Sequence, residues 1–229
     1  MPEDRQLAIS PLKTPRAAAV AGIAFSILLI AALVLLRIST PANADTAGVW
    51  LADSTRRTAV TVALGLVPFA GIAFLWFVGV IRDRIGRQED RFFGTVFLGS
   101  GLLFVGMLFV AAAVAGGLIA AAGSRPAGQL GQSDLALGRN VTSLLLNVYA
   151  MRMAAVFSLT TVTIARRTKI VSSWLSAAGL ATALILLVGV GFTAWVELLF
   201  PAWILALSID ILMAGTRIPP GGAETSTAL

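Results

Sequence analysis

Six long apolar runs constrain this chain more than any other feature of its sequence. A helix needs about 20 apolar residues to cross a bilayer, whereas the strands of a membrane barrel alternate in polarity over roughly ten residues. The continuous runs therefore predict an all-α membrane protein, with a bundle of six transmembrane helices in residues 17–215. The predicted helices are 17–36, 59–81, 92–122, 141–165, 171–195 and 198–215.

The last two helices come from one apolar stretch, residues 171–215, which is too long for a single crossing. At ~1.5 Å per residue it would extend about 65 Å, or roughly two bilayer cores. Glu197 and Pro201 interrupt the stretch, and we place the turn there. The composition agrees with a membrane location, since only 12% of the residues are charged, against roughly 25% in soluble domains.

The distribution of Lys and Arg predicts that both termini are cytoplasmic. With the N-terminus inside, the inner segments carry eleven basic residues and the outer loops carry five, as expected if basic residues accumulate on the cytoplasmic side. The chain has 15 Arg and 2 Lys, with abundant Ala and Gly. This usage suggests a GC-rich bacterial genome, and hence the bacterial inner (cytoplasmic) membrane.

The two ends of the chain are predicted to be cytoplasmic tails. Residues 1–16 are polar and rich in proline, and residues 216–229 have the composition of a disordered segment. The small residues that end at Ala44 resemble a signal-peptidase site, so a cleaved first helix is an alternative. A signal core has roughly 7–15 apolar residues, whereas the first run has 20, which favours an uncleaved helix.

Cysteine and histidine are both absent, which removes many kinds of catalytic site. No thiolate nucleophile and no His-ligated metal can form within the chain, so we expect no metal, no cofactor and no enzyme activity. A lipid-modifying enzyme would need a cluster of charged residues at one membrane face, and none is obvious. The net charge of +6 lies mostly in short loops, which indicates topology and contact with anionic membrane lipids rather than nucleic-acid binding.

The fourth run contains the densest polarity of any apolar run. It holds several Ser and Thr residues together with Asn147, Tyr149 and Arg152. An Arg at the centre of a bilayer costs roughly 2.5–3.5 kcal/mol on insertion scales, so it requires a counter-ion, water or backbone carbonyls. Because polar residues lie on more than one face, we expect protein to surround this helix.

Asp210 in the sixth run is the predicted counter-ion of Arg152. Measured from the outer ends of their runs, both residues lie about 17–18 Å deep at ~1.5 Å per residue, and their helices run in the same direction. We expect them to pair directly or through water. Such a pair would either fix two helices together or mark a binding or coupling site, and the sequence leaves both roles open.

The loop after the second run resembles a motif of transporters. The segment GVIRDRIGRQ, residues 79–88, follows the loop pattern of the major facilitator superfamily at five positions: Gly79, Asp83, Arg84, Gly86 and Arg87. It departs from the pattern at Gln88. The resemblance implies a cytoplasmic loop whose charges latch neighbouring helices, and Arg152 resembles that family's fourth-helix arginine. Facilitators have twelve helices, however, and this chain predicts six.

The third run is rich in glycine and alanine, with small residues four apart at Ala112 and Gly116 and again at Ala113 and Gly117. This spacing allows close approach between helices, within the chain, by self-association or with other membrane proteins. Without a catalytic residue set, the sequence favours a membrane scaffold, accessory or assembly protein. The alternative is a small-solute transporter or channel that uses an Arg152–Asp210 site.

Overall fold

The computed structural model describes residues 14–39, 53–85, 91–124, 131–168, 172–189 and 195–216, and these residues contain helices and no strand. Three helices come first: α1 (Thr14–Ser39), α2 (Ser54–Ile85) and α3 (Arg91–Ser124). Helix α4 is continuous over 132–168, as α-helix in Gln132–Ser143, π-helix in Leu144–Ala150 and α-helix again in Met151–Thr168. The last helices are α5 (Ser173–Val188) and α6 (Leu199–Thr216), which a 3₁₀ turn, Val196–Leu198, precedes.

The prediction of an all-α, multi-pass bundle is confirmed for this part of the chain. Five helices are long and apolar enough to cross a membrane, and α5 is shorter. With 16 residues, α5 extends about 24 Å, less than the roughly 30 Å of a hydrocarbon core. The predicted fifth helix continued to residue 195, but α5 ends at Val188, and residues 190–194 lie outside the described residues.

The other helix bounds follow the apolar runs, except at the start of α4. That helix begins at Gln132, nine residues before the predicted 141. Its first turns are polar, so the apolar pattern does not predict them. They nevertheless belong to the bundle, because Gly138 packs tightly against Leu118 of α3. Residues 14–16 of the predicted N-terminal tail belong to α1, and Thr216 of the predicted C-terminal tail belongs to α6. The other tail residues and Ala44 lie outside the described part.

The helices pack as a closed ring. Helix α1 packs against α2 and α6, α3 against α2 and α4, and α5 against α4 and α6. Neighbours run antiparallel: on α1 and α2, Phe25 lies opposite Phe74 and Gly22 opposite Phe77, while Gly22 also lies opposite Ser208 of α6. Consequently α2, α4 and α6 all run in the same direction.

A layer of phenylalanine rings fills the middle of this ring of helices. The Phe74 ring lies within 6.0 Å of four other Phe rings, centroid to centroid, one each from α1, α3, α4 and α6. Tilted and edge-to-face aromatic pairs of this kind add to the stabilisation from burial. We call the following fully buried residues the phenylalanine layer: Phe25, Phe74, Phe77, Phe97, Phe104, Phe157 and Phe200.

Glycine allows the helices to approach closely where α5 joins the bundle. A Cβ atom placed on Gly179 would lie 2.6 Å from Trp203 of α6 and from Val162 of α4. The Trp203 indole Nε1 also donates a hydrogen bond to the Leu175 carbonyl, at 3.2 Å. Only a residue without a side chain fits at position 179, so this glycine sets the distance between α5 and its two neighbours.

Candidate functional site

The basic residues define a depth scale for the bundle. Arg16 on α1, Arg82 on α2 and Arg166 on α4 lie at the same end of the antiparallel helices, which we call the basic end. Arg37 lies 21 residues beyond Arg16 on α1, or about 31 Å at 1.5 Å per residue. This span matches the roughly 30 Å of a bilayer core, so Arg37 marks the opposite boundary.

On this scale, Arg152 lies in the half of the bundle opposite the basic end. It precedes Arg166 by 14 residues, which places it about 21 Å from the basic end and about 9 Å from the opposite boundary. Its side chain is exposed on the outside of the bundle. Long side chains lean towards the N-terminus of their helix, and for α4 that direction leads to the nearer boundary.

The structure does not bring Arg152 and Asp210 together. No ion pair within 4.0 Å joins these two residues, whereas Arg56 and Asp53 form one at 3.3 Å. The rings of Phe157 on α4 and Phe200 on α6 are 6.0 Å apart. From that contact, Arg152 is five residues towards the opposite boundary, whereas Asp210 is ten residues towards the basic end. The two steps separate the residues by about 22 Å along the helices.

The expected equal depth of these residues fails because α6 does not begin at the membrane boundary. Phe200, in its first turn, belongs to the phenylalanine layer near mid-depth. Asp210, half-buried, consequently lies close to the basic end. The sequence gives no direct signal of this shift, since the apolar stretch fixes the total length of α5 and α6 but not the depth of the turn between them.

Glu197 marks the turn that the sequence predicts between the last two helices. It lies in the 3₁₀ turn just before α6 and is half-buried, three residues from Phe200. Helix α1, which carries Arg37 in its last turn, packs against this turn. Arg37 is exposed, and its side chain leans towards the N-terminus of α1, in the direction of the turn. No ion pair within 4.0 Å joins Arg37 to Glu197.

The π-helical segment of α4 carries the remaining polar candidates. Asn147 is half-buried and donates a hydrogen bond from Nδ2 to Ser143 Oγ at 3.0 Å, while Tyr149 is 53% exposed. A π-helix has i→i+5 hydrogen bonds and usually occurs as single turns, frequently at functional sites. This one covers seven residues and ends two residues before Arg152, so Tyr149 and Arg152 lie near its junction with the α-helix.

Helix α4 is the most enclosed of the five long helices. In its most apolar window 56% of the residues are buried, against 22–39% in the others. Its buried hydroxyls bond to their own helix: Ser158 donates to the Ala154 carbonyl at 2.8 Å and Thr161 to the Phe157 carbonyl at 2.7 Å. Such local bonds satisfy the hydroxyls without a ligand.

The facilitator-like segment is only partly described. Gly79 is exposed on α2, and Asp83 and Arg84 lie in the last turn of that helix, which continues to Ile85. Gly86 and Arg87 lie outside the described residues. No three acidic side chains in the described part come together to form a metal site.

No family model, curated protein or solved structure matches this chain. The resemblance to the major facilitator superfamily consequently rests on residues 79–88 and Arg152 alone, and function has to follow from the geometry of the chain itself.

Proposed function

We propose that this protein is a scaffold or assembly protein of the bacterial cytoplasmic membrane, with both termini in the cytoplasm, and that its copies associate through the outward side of α3. The basic end then lies at the cytoplasmic face, in keeping with the positive-inside rule. One observation carries the proposal: small residues recur every seven positions along the exposed side of α3, at Gly99, Gly106, Ala113 and Ala120.

We call these residues the α3 stripe; Gly99 is half-buried and the other three are exposed. A Cβ atom on Gly99 or Gly106 would meet no atom within 4 Å. A seven-residue recurrence keeps positions on one side of a helix that crosses a partner at about +20°. From Gly99 to Ala120 the stripe extends about 31 Å at 1.5 Å per residue, which matches the width of a bilayer core.

Small residues favour contacts between membrane helices because they let two backbones approach closely, and the gain comes from van der Waals packing. Other glycines of the chain already serve this purpose inside the bundle. A Cβ atom placed on Gly101, on the other side of α3, would lie 3.4 Å from the Phe157 ring. The α3 stripe has the same composition but lacks a described neighbour, so a second copy of α3 is the occupant we propose.

The interior of the bundle supports a scaffold rather than a transporter. The phenylalanine layer occupies mid-depth, and Ser158 and Thr161 bond within their own helix. A transport site built from Arg152 and Asp210 would need both side chains in one cavity, but they differ in depth and Arg152 points outwards. The features expected of a polar pathway are therefore not found among the described residues of the core.

The test is self-association in lipid bilayers, measured by fluorescence transfer between labelled copies at decreasing protein-to-lipid ratios. We expect Gly106→Leu to weaken association about tenfold or more, equivalent to ~1.4 kcal/mol. Gly65→Leu is the matched control, because Gly65 is an exposed glycine on α2 with no atom within 4 Å of an added Cβ. A wild-type protein that stays monomeric, or equal weakening by both variants, would contradict the proposal. So would proton or anion flux in liposomes that Arg152→Gln abolishes.

A further inference from the structure

The charge of Arg152 has no described partner within the chain, although it lies within an apolar helix. Its side chain is exposed on the outside of the bundle, about 9 Å below the boundary opposite the basic end. Snorkelling side chains keep their apolar stems along the helix and carry their charge to the interface. Because the α4 side chains lean towards that boundary, the Arg152 guanidinium comes within reach of the headgroup region.

No described carboxylate forms an ion pair with Arg152. Asp210 lies close to the basic end, and Glu197 lies in the turn before α6, which packs against α1. Asp134 lies 18 residues before Arg152 on α4. Asp53 is paired with Arg56, with 3.3 Å between Oδ2 and Nε. The anion that neutralises Arg152 therefore comes from outside the described chain.

A second donor lies beside the guanidinium. Tyr149 is exposed three residues before Arg152, on the side nearer the boundary. Tyr149 lies in the π-helical segment that ends at Ala150, and Arg152 lies in the first turn of the α-helix that follows. Both side chains are exposed, and about one helical turn separates them. A phenol and a planar guanidinium are both donors, and guanidinium binds phosphate through two parallel hydrogen bonds.

We propose that Arg152 and Tyr149 bind the phosphate of one phospholipid in the leaflet opposite the basic end, which is the outer leaflet in the orientation proposed above. The depth, the outward exposure and the donor pair all favour a lipid phosphate, because the guanidinium reaches the interface instead of remaining in the hydrocarbon. A carboxylate on a partner helix would be expected to meet Arg152 nearer mid-membrane, where a charge requires a buried partner. The site is separate from the α3 stripe, so its test does not depend on self-association.

The test is native mass spectrometry of the full-length protein in detergent, titrated with phosphatidylglycerol. We expect Arg152→Gln to raise the dissociation constant of the tightest-bound lipid about tenfold and Tyr149→Phe to raise it less. Arg152→Lys, which keeps the charge, should retain part of the affinity. Arg56→Gln removes the same charge from an exposed arginine that Asp53 already neutralises, so it should bind lipid as the wild type does.

Three results would overturn the proposal. The first is equal lipid affinity of Arg152→Gln and the wild type, with both proteins shown to be folded by their thermal unfolding. The second is displacement of the lipid by millimolar inorganic phosphate, which would assign the site to a free anion. The third is loss of a co-purifying membrane protein, rather than of lipid, from Arg152→Gln, which would assign Arg152 to a protein carboxylate.

Discussion

The inner and outer sides of the same helices use the same residue types for opposite purposes. On α2, Phe74 is fully buried among four other rings, whereas Trp76, two residues away, is 71% exposed. On α3, a Cβ atom placed on Gly101 would contact Phe157 and Phe74, whereas one placed on Gly99 or Gly106 would meet no atom within 4 Å. In a water-soluble protein, the exposed side of a helix would be polar and the buried side apolar. In a membrane both sides are apolar, and only packing distinguishes them.

Because of this difference, substitutions on the inner side should change the stability of the protein, and substitutions on the outer side should change its assembly. Inward side chains fill space that lipid cannot fill, so changing them creates cavities or collisions. Outward side chains exchange lipid contacts for contacts with a partner, so changing them leaves the fold intact. An inward position and an outward position on the same helix should therefore respond differently to substitution.

The largest effect is expected at the centre of the phenylalanine layer. Phe74→Ala removes the ring that links α1, α3, α4 and α6, and the cavity it leaves should destabilise the protein by about 3–5 kcal/mol. Trp76→Ala removes a larger side chain from the lipid-facing side and should cost less than about 1 kcal/mol, because lipid replaces its contacts. Reversible unfolding in mixed micelles measures both values. Equal losses would show that burial in the described bundle does not determine stability.

A smaller effect is expected where α5 packs against its neighbours. Gly179→Ala places a methyl group 2.6 Å from Trp203 and Val162, which should cost about 1–3 kcal/mol through overpacking. Gly117→Ala, at an exposed glycine of α3 with no atom within 4 Å, is the matched control. It should be neutral or slightly stabilising, since alanine favours helix over glycine by up to about 1 kcal/mol. Thermal unfolding in detergent would test the contrast, and a stable Gly179→Ala protein would contradict this packing.

The apolar runs were enough to predict the class of fold and the bounds of most helices. The first three runs agree with α1, α2 and α3 to within five residues at each end. Length and apolarity determine these bounds, because a helix must continue until its backbone leaves the hydrocarbon. The start of α4 escaped prediction because residues 132–140 are polar and form a helix against α3, with Gly138 fitted to Leu118.

The candidate site was less predictable than the fold. The sequence identifies Arg152 and Tyr149 as polar residues three positions apart in an apolar run. It does not give the depth of Asp210, which depends on α5 ending at Val188 and on Phe200 entering the phenylalanine layer. Nor does it reveal that α1 packs against the turn that holds Glu197, which lies far from α1 in the chain. The depth of each polar residue in the membrane was predicted from the ends of the apolar runs. In the fold, side-chain contacts between helices determine that depth.

The smallest expected effect is the coupling between Arg152 and Asp210. Residues more than about 7–10 Å apart, without shared partners, contribute additively to stability, usually within about 0.3–0.5 kcal/mol. With about 22 Å between them along the helices, the double variant Arg152→Asp/Asp210→Arg should show no rescue beyond the sum of its single variants. Arg37→Glu/Glu197→Arg is the comparison charge swap, at residues of α1 and of the turn that packs against it. Because we expect these two charges to interact, this swap should recover part of the loss caused by each single change. A double-variant cycle in unfolding free energy measures both couplings. Rescue by the first swap but not by the second would restore the direct Arg152–Asp210 pair and return the transport site to consideration.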